Sequence, residues 1–392
     1  MRDTFVNEAH WPSLIASAVA AVVVGFASTI LVIMQAAVAV GANEAQQASW
    51  AAMLCFVMGG LTLLLSWRHR IPMIIAWSTP GAALLATSVV SVSYPEALGA
   101  FAVAGVLMVA TGLLKPLANA IEHMPPAIAS AMLAGVLVAY VLKVPTAALT
   151  LPWIVVPLVL AFFAMRLWKP FYAVPVVVAL GLVLAAVSGV MKLDGFAPSL
   201  TLLTFDMPKF SGAAVISLGL PLYLVTMASQ NLPGFAVLRA SGYQPPVTSA
   251  LVTTGVASAL MSPFAGPQVN MAAITASLCT GPDAHPDAAQ RWKVSIPYVV
   301  LYVIVGLAAS AFVKLLGALP HDLVLAIAGL ALFGPLMGAM SAMMKEARDI
   351  DAALVTFLVT ASGFSLYGIG AAFWGLVAGL LLWGVKKLVV RR

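Results

Sequence analysis

The side chains able to do chemistry inside the apolar runs of this chain are amides and hydroxyls: Gln35, Ser78, Thr79, Gln230, Asn231, Gln268 and Asn270. None of the 13 Asp and Glu residues falls in the middle of a run. Glu122, Asp283, Asp322 and Asp351 lie near run ends or between runs, and so do His10, His69, His123, His285 and His321. Neutral donors without a carboxylate suit an anion, because a resident carboxylate would repel it strongly at low dielectric. A phosphate-binding Walker loop, a His-Glu-x-x-His helix and a Ser-His-Asp grouping are all missing, so the pattern is not that of an ATPase or a hydrolase. Cys55 and Cys279 both stand in apolar surroundings, which argues against a disulfide framework or a cysteine metal site. No cofactor and no metal are expected.

Two stretches with broken helical character must position these polar groups. The first runs from Pro72 to Ala86. Pro80 lacks an N–H and pushes Thr79 out of the helical region, so 74–79 is expected to be extended, with a helix starting at Pro80 or Gly81. The second runs from Ser262 to Ala276, where Pro263, Gly266 and Pro267 disfavour helix and Asn270 is expected to cap a helix beginning directly after it. Both read as extended piece, break, half-helix. Unpaired backbone in lipid costs several kcal/mol per group, so such pieces belong inside protein. Two of them could pair antiparallel, with the half-helix N-termini facing one cavity and presenting free N–H groups to an anion. The step Asn231-Leu-Pro-Gly234 predicts a kink beside the same place.

The rest of the chain is membrane-like. Of its 392 residues 62% are hydrophobic and 8% charged, with a mean hydropathy of +1.06. A soluble core could not hide that much apolar surface, and disordered or nucleic-acid-binding chains look quite different. A bilayer core of roughly 30 Å takes about 20 apolar residues per helix. That ruler marks segments near 12–40, 49–66, 72–92, 96–114, 126–142, 151–168 and 172–191. It marks seven more near 211–229, 246–262, 264–280, 294–313, 321–344, 351–367 and 371–388. The first run is too long for a cleavable signal peptide, so it is expected to be retained. An all-α polytopic membrane protein with fourteen segments is expected, extended pieces interrupting the third and tenth.

Lys and Arg sort into alternate loops, fifteen on one side and only Lys143, Lys192, Lys209 and Lys314 on the other. The positive-inside rule then puts both termini in the cytoplasm. The halves echo each other at an offset of about 190 to 195 residues. Pro126–Gly135 resembles Pro320–Gly329, Pro80–Ala86 resembles Asn270–Ala276, and the Met34-Gln35 neighbourhood resembles Met227 to Gln230. Residues 1–195 and 196–392 are therefore read as two repeats. With seven spans each, the second must be inverted, an organisation typical of secondary transporters that bind substrate near the midplane.

Three motifs resemble the bacterial benzoate:proton symporter family: AWSTPGAALLA at Ala76–Ala86, SQNLPG at Ser229–Gly234, and GPQVNMAAITASLCTG at Gly266–Gly281. The resemblance spans nearly the whole chain, and that family is similar in fold to nucleobase:cation symporters and sulfate-permease-type anion transporters. It implies a 7+7 inverted repeat with a core domain (12–115 and 211–313) and a gate domain (126–191 and 320–388), often assembled as a homodimer. Transport would follow from rocking or elevator-like movement of core against gate. Nucleobase carriers have acids on the eighth and tenth helices, where this chain has Gln230, Asn231, Gln268 and Asn270. That departure argues against a uracil-like substrate and leaves the proton carrier open.

The expected function is uptake of benzoate or a related aromatic carboxylate with protons across the inner membrane. The substrate site would comprise Gln35, Ser78, Thr79, Gly81, Gln230, Asn231, Gln268, Asn270 and Met271. Met227, Trp77 and Phe264 would join Met271 as the apolar wall for the ring. Glu122 with His123, and Asp283 with His285, are candidate proton carriers. An anion channel or exchanger of the same fold, without proton coupling, is the alternative. A membrane enzyme or receptor would need a catalytic constellation or a sensing domain that the sequence does not offer. Partners are thus the substrate, protons and lipid, and no nucleic acid.

Overall fold

A computed structural model of the protein describes residues 10–87, 92–117, 125–191, 199–264, 266–366 and 369–390. The first half contains α1 (Trp11–Ala39), α2 (Glu44–His69), strand β1 (Ile75–Trp77), α3 (Thr79–Thr87) and α4 (Tyr94–Leu113). It continues with α5 (Pro126–Val141), α6 (Lys143–Thr150), α7 (Pro152–Trp168) and α8 (Ala173–Val187). The second half opens with α9 (Gly212–Ala240), followed by α10 (Val247–Met261), β2 (Val269–Met271) and α11 (Ile274–Thr280). Then come α12 (Ser295–Leu307), α13 (Ala309–Gly317), α14 (His321–Met343), α15 (Ile350–Ala361) and α16 (Ala371–Val390). A short hairpin, β3 (Ser365–Leu366) with β4 (Ile369–Gly370), precedes α16 and was not expected from the sequence.

The helices begin where the local chemistry allows. Asn43 and Gln46 form a reciprocal capping box at α2, and Ser93 with Glu96 does the same at α4. Proline occupies the first turn of α1, α5 and α7, where a missing N–H costs nothing. α2 stops at Arg70, whose φ of 57° is left-handed.

Among the described residues seven helices are long and apolar enough to cross a membrane: α1, α2, α4, α5 continued through α6, α9, α14 and α16. The stretch Ala288–Leu307 with α13 makes an eighth if a 53° bend is admitted. Each expected segment coincides with a helix or a strand-plus-helix, but length alone does not yield fourteen spans, because several elements are short. Two boundaries move appreciably. α9 runs to Ala240 instead of ending near 229, and the eleventh segment bends at Ala308. α9 has two π turns, Val215–Gly219 and Met227–Asn231. The second ends just before Pro233, whose missing donor a widened turn absorbs.

The two strands pair antiparallel, as expected, with Ile75 opposite Met271, Ala76 opposite Asn270 and Trp77 opposite Val269. The pairing is extended at both ends: the Ser78 amide donates to the Gln268 carbonyl (3.0 Å) and the Ala272 amide to the Ile74 carbonyl (2.9 Å). Around this ladder α4 packs on α10 and α2 on α12, while α5 packs on α14 and α15. Glycine sets the first contact. A Cβ on Gly105 would stand 2.7 Å from the Ala259 amide nitrogen, and one on Gly255 2.7 Å from the Gly105 carbonyl. The backbones of α4 and α10 thus touch.

Candidate functional site

Each strand of the ladder is satisfied by side chains from its surroundings. The Ile75 amide donates to Thr62 Oγ1 (2.9 Å), and the Tyr298 hydroxyl donates to the Ile75 carbonyl (2.9 Å). The Val269 amide donates to Ser258 Oγ (3.1 Å), and the Met271 amide donates to Asn231 Oδ1 (3.0 Å). A three-residue strand pair inside a membrane protein survives only with such partners, since no water is there to replace them.

Next to the ladder lies a cavity of about 80 Å³. Ala76, Trp77 and Thr79 line it from the first break, and Ala272, Ala273 and Thr275 from the second. Gln230 enters from the π turn of α9, Gly25 and Thr29 from α1, and Tyr302 from α12. Both half-helices therefore begin at this cavity. Its described lining carries no Asp, Glu, His, Lys or Arg. The Trp77 indole N–H donates to Thr29 Oγ1 (2.7 Å), which in turn donates to the Gly25 carbonyl (2.7 Å). This chain of bonds fixes the indole as an apolar wall, and Phe26 backs it at a ring distance of 5.8 Å. The arrangement offers hydroxyls, an amide and two helix N-termini to a small anion, and a flat apolar face to its body.

Of the residues expected at the site, the cavity gathers Thr79 and Gln230, with Trp77 as wall. The others sit close by with different tasks. Ser78 Oγ shares a 2.7 Å hydrogen bond with Thr226 Oγ1 and accepts from the Gly81 amide (3.2 Å), so it caps α3. Gly81 faces α9: a Cβ there would collide with Leu222 and lie 2.7 Å from Ser78 Oγ. Asn231 holds β2, and its Nδ2 donates to Met227 Sδ (3.3 Å). Gln268 Nε2 donates to the Phe101 carbonyl (3.3 Å), and Met271 is fully buried in the ladder.

Asn270 corrects an expectation. It belongs to β2 and does not cap α11, whose N-cap residue is Ala273 with no side-chain hydrogen bond. Its Nδ2 donates to the Met271 carbonyl (2.9 Å). The strand pairing claims Asn270, so the half-helix starts later. The starts of α3 at Thr79 and α11 at Ile274 are thus about 195 residues apart in sequence. Gln35 and Gln230 share that offset, yet Gln35 lines two other cavities. Phe264 packs on Phe205 (5.3 Å) and is not among the residues lining the cavity.

Asp283 is exposed in the loop between α11 and α12, and His285 in the same loop accepts from the Asp287 amide (3.0 Å). Arg291 ties this loop down, donating to the carbonyls of His285 (2.7 Å) and Thr280 (2.8 Å). Neither group reaches the cavity. Glu122 and His123 lie outside the described residues. No three His, Cys, Asp or Glu side chains gather to hold a metal among the described residues.

Sequence reasoning missed Gly25, Thr29, Thr275 and Tyr302. Thr275 was within reach, inside the Gly266–Gly281 motif. Gly25 and Thr29 follow from helical spacing, since residues four apart share a face of α1.

A family model described as benzoate membrane transport protein matches residues 8–385. The chain is 39% identical over 381 residues to the inner membrane protein YdcO of Escherichia coli K12, covering 97% of each chain. It is 32% identical over 361 residues to the benzoate membrane transport protein of Acinetobacter baylyi, covering 92% of each. Among solved structures, the transmembrane domain of the cyanobacterial bicarbonate transporter BicA matches with a TM-score of 0.55 at 14% identity, over 95% of this chain and 98% of that one. SLC26A9 matches with a TM-score of 0.60 at 11% identity, over 98% of this chain and 67% of that one. At such identities the likeness is one of fold.

Proposed function

The chain belongs to the benzoate membrane transport protein family, and from that premise we propose that it takes up benzoate or a related aromatic carboxylate together with protons by alternating access. It is a membrane transporter and not an enzyme. The cavity at the two breaks carries the reading: it joins two half-helix starts, Thr79, Gln230 and Trp77, with no carboxylate in the described lining to repel an anion.

The packing supports a 7+7 inverted repeat. Exchanging the halves turns the α2–α12 contact into the α10–α4 contact, and both pairs are packed. Gly59 lies against Val299 in the first and Gly255 against Gly105 in the second, each about 195 residues from its counterpart. On this reading residues 1–195 and 196–392 are the repeats. Elements within 12–115 and 211–313 form a core that carries the cavity, and elements within 126–191 and 320–388 form the gate. The bias of positive residues places both termini in the cytoplasm of a bacterial inner membrane. A homodimer built on the gate belongs to the same reading.

Radiolabelled benzoate uptake into proteoliposomes tests it. Accumulation is expected with an inward proton gradient and not without one. Gln230→Ala should weaken transport roughly tenfold or more, as loss of one hydrogen bond to a charged group does. Absence of benzoate uptake under the gradient would overturn the proposal. A second reading, exchange or channel conduction without protons, is favoured by the lack of Asp, Glu and His in the described lining. Uptake indifferent to the pH gradient would establish it.

A further inference from the structure

We propose that the end of the central cavity bounded by Gly25, Thr275 and Tyr302 is a subsite for a ring hydroxyl, so that a hydroxybenzoate is carried in preference to benzoate. All three residues line that cavity, Gly25 from α1, Thr275 from α11 and Tyr302 from α12.

The Thr275 hydroxyl is the observation that points to a ligand. Several threonines inside helices of this protein bond the carbonyl four residues back. Thr29 does so to Gly25 (2.7 Å), Thr111 to Leu107 (2.8 Å), Thr254 to Ala250 (2.7 Å) and Thr356 to Ala352 (2.8 Å). Thr275 cannot follow them. Because α11 begins at Ile274, the residue four back is Met271 in β2, and its carbonyl already accepts from Asn270 Nδ2 (2.9 Å). Thr275 is 8% exposed, and its hydroxyl makes no hydrogen bond among the described residues. It is nevertheless not sealed from every space, as the unpartnered hydroxyls of Tyr140 and Thr360 are. Its open side is the cavity that it lines. A buried hydroxyl calls for a partner, and at this place a ligand supplies it.

Gly25 makes the room. A Cβ there would stand 3.2 Å from the Tyr302 hydroxyl and 3.3 Å from the Thr275 methyl group, so both residues face the same bare stretch of α1. Tyr302 is 2% exposed and packs on Tyr298 at a ring distance of 4.8 Å, with the Tyr298 hydroxyl fixed on the Ile75 carbonyl. The Thr29 hydroxyl nearby is not free for a ligand, since it accepts from Trp77 and donates to Gly25. Thr275 and Tyr302 thus present two neutral groups that can each donate or accept, with no charge in the described lining. Such a pair suits a hydroxyl and not a second carboxylate. Trp77, Val24 and Met58 give the same cavity its apolar surface for a ring. Benzoate would fill the space and leave the Thr275 hydroxyl without a partner, which a site of this kind disfavours.

The choice of an aromatic carboxylate rests on the transport reading above, and the experiment separates the two. The purified full chain in lipid nanodiscs is titrated calorimetrically with benzoate and with ortho, meta and para hydroxybenzoate. At least one isomer should bind about tenfold more tightly than benzoate. Thr275→Val and Tyr302→Phe should each bring that ratio down towards one, and Gly25→Ala should do the same by filling the space between the two hydroxyls. Gln230→Ala should weaken all four acids and keep the ratio. A wild-type ratio of one or less for every isomer would overturn the subsite while leaving the transport reading standing. So would a preference that survives both Thr275→Val and Tyr302→Phe, or one that Gln230→Ala abolishes as fully as they do. No binding of any of the four acids to the wild type would overturn the transport reading as well.

Discussion

The two breaks in this membrane protein share one plan and finish it differently. In the first half the strand passes straight into α3, and Ser78 folds back to accept from the Gly81 amide. In the second half two residues separate the strand from α11, and Ala273 offers that helix no side-chain cap. The first break is thus closed on itself and pinned to α9 through Thr226. The second is held by Asn231, which takes the Met271 amide, and by the Ile74 carbonyl, which takes the Ala272 amide, while Ala272, Ala273 and Thr275 line the cavity. Both starts border the cavity, one with a side-chain cap and the other without. The lesson is that a repeat preserves backbone geometry, whereas the division of labour comes from single side chains at the helix starts.

The sharpest way to break that comparison is a charge at the open start. Ala273→Asp places a carboxylate beside the proposed anion, at about 4 Å and an effective dielectric near 20, a repulsion of roughly 4 kcal/mol. Benzoate affinity near neutral pH should fall by up to about a thousandfold. The loss should shrink as pH falls and the aspartate protonates. Calorimetric titration of the variant at two pH values checks both parts. Wild-type affinity at neutral pH would show that the second break is not the open one.

Gly81→Leu strikes the closed start. The new side chain would collide with Leu222 and Ser78, and overpacking of this kind costs about 1–3 kcal/mol or more. The variant should be poorly folded, seen as lost monodispersity on size exclusion, and not merely deficient in binding. A well-folded variant that simply binds no benzoate would move Gly81 back into the site.

Asn231→Leu should cost about 1–3 kcal/mol, because it orphans the buried Met271 amide behind the second break. Thermal unfolding in detergent would register the loss. The smallest effect belongs to Ser78→Ala, about 1 kcal/mol from the lost cap of α3. Its thermal stability should fall while benzoate affinity stays near wild type. A variant with normal stability and poor affinity would reverse the roles assigned to the two half-helices.

Much of the site was legible because proline acts locally. Pro80 marked the start of α3 to within a residue or two, and β1 fell inside the expected extended piece, whereas β2 took residues expected to cap and begin a helix. Thr79, Gln230 and Trp77 could be named because polar or amphipathic groups in an apolar run need a reason to be there. Asn270 misled for the same local logic. An Asn before a helical pattern is a good cap, yet here the strand partner, about 195 residues distant in sequence, claimed its backbone first. Thr29 and Tyr302 were hidden because threonine and tyrosine are commonplace in membrane helices, and only assembly turned these two to the cavity.

Composition and proline placement, by themselves, determined that this protein lies in a membrane, where its helices break, and that no acid falls in the middle of an apolar run. These are properties of short windows, where backbone sterics and transfer from water act residue by residue. Tertiary structure decided which polar groups share a space. Gln35 and Gln230 are amides of the same type in apolar helices, yet one lines a cleft beside α5 and the other the cavity at the two breaks. It also decided that Ser78 would cap a helix and that the α11 start would stand open. Side-chain partners in a packed bundle come from helices far apart in sequence, and each donor binds whichever acceptor packing brings within 3 Å or so, a choice no local pattern encodes.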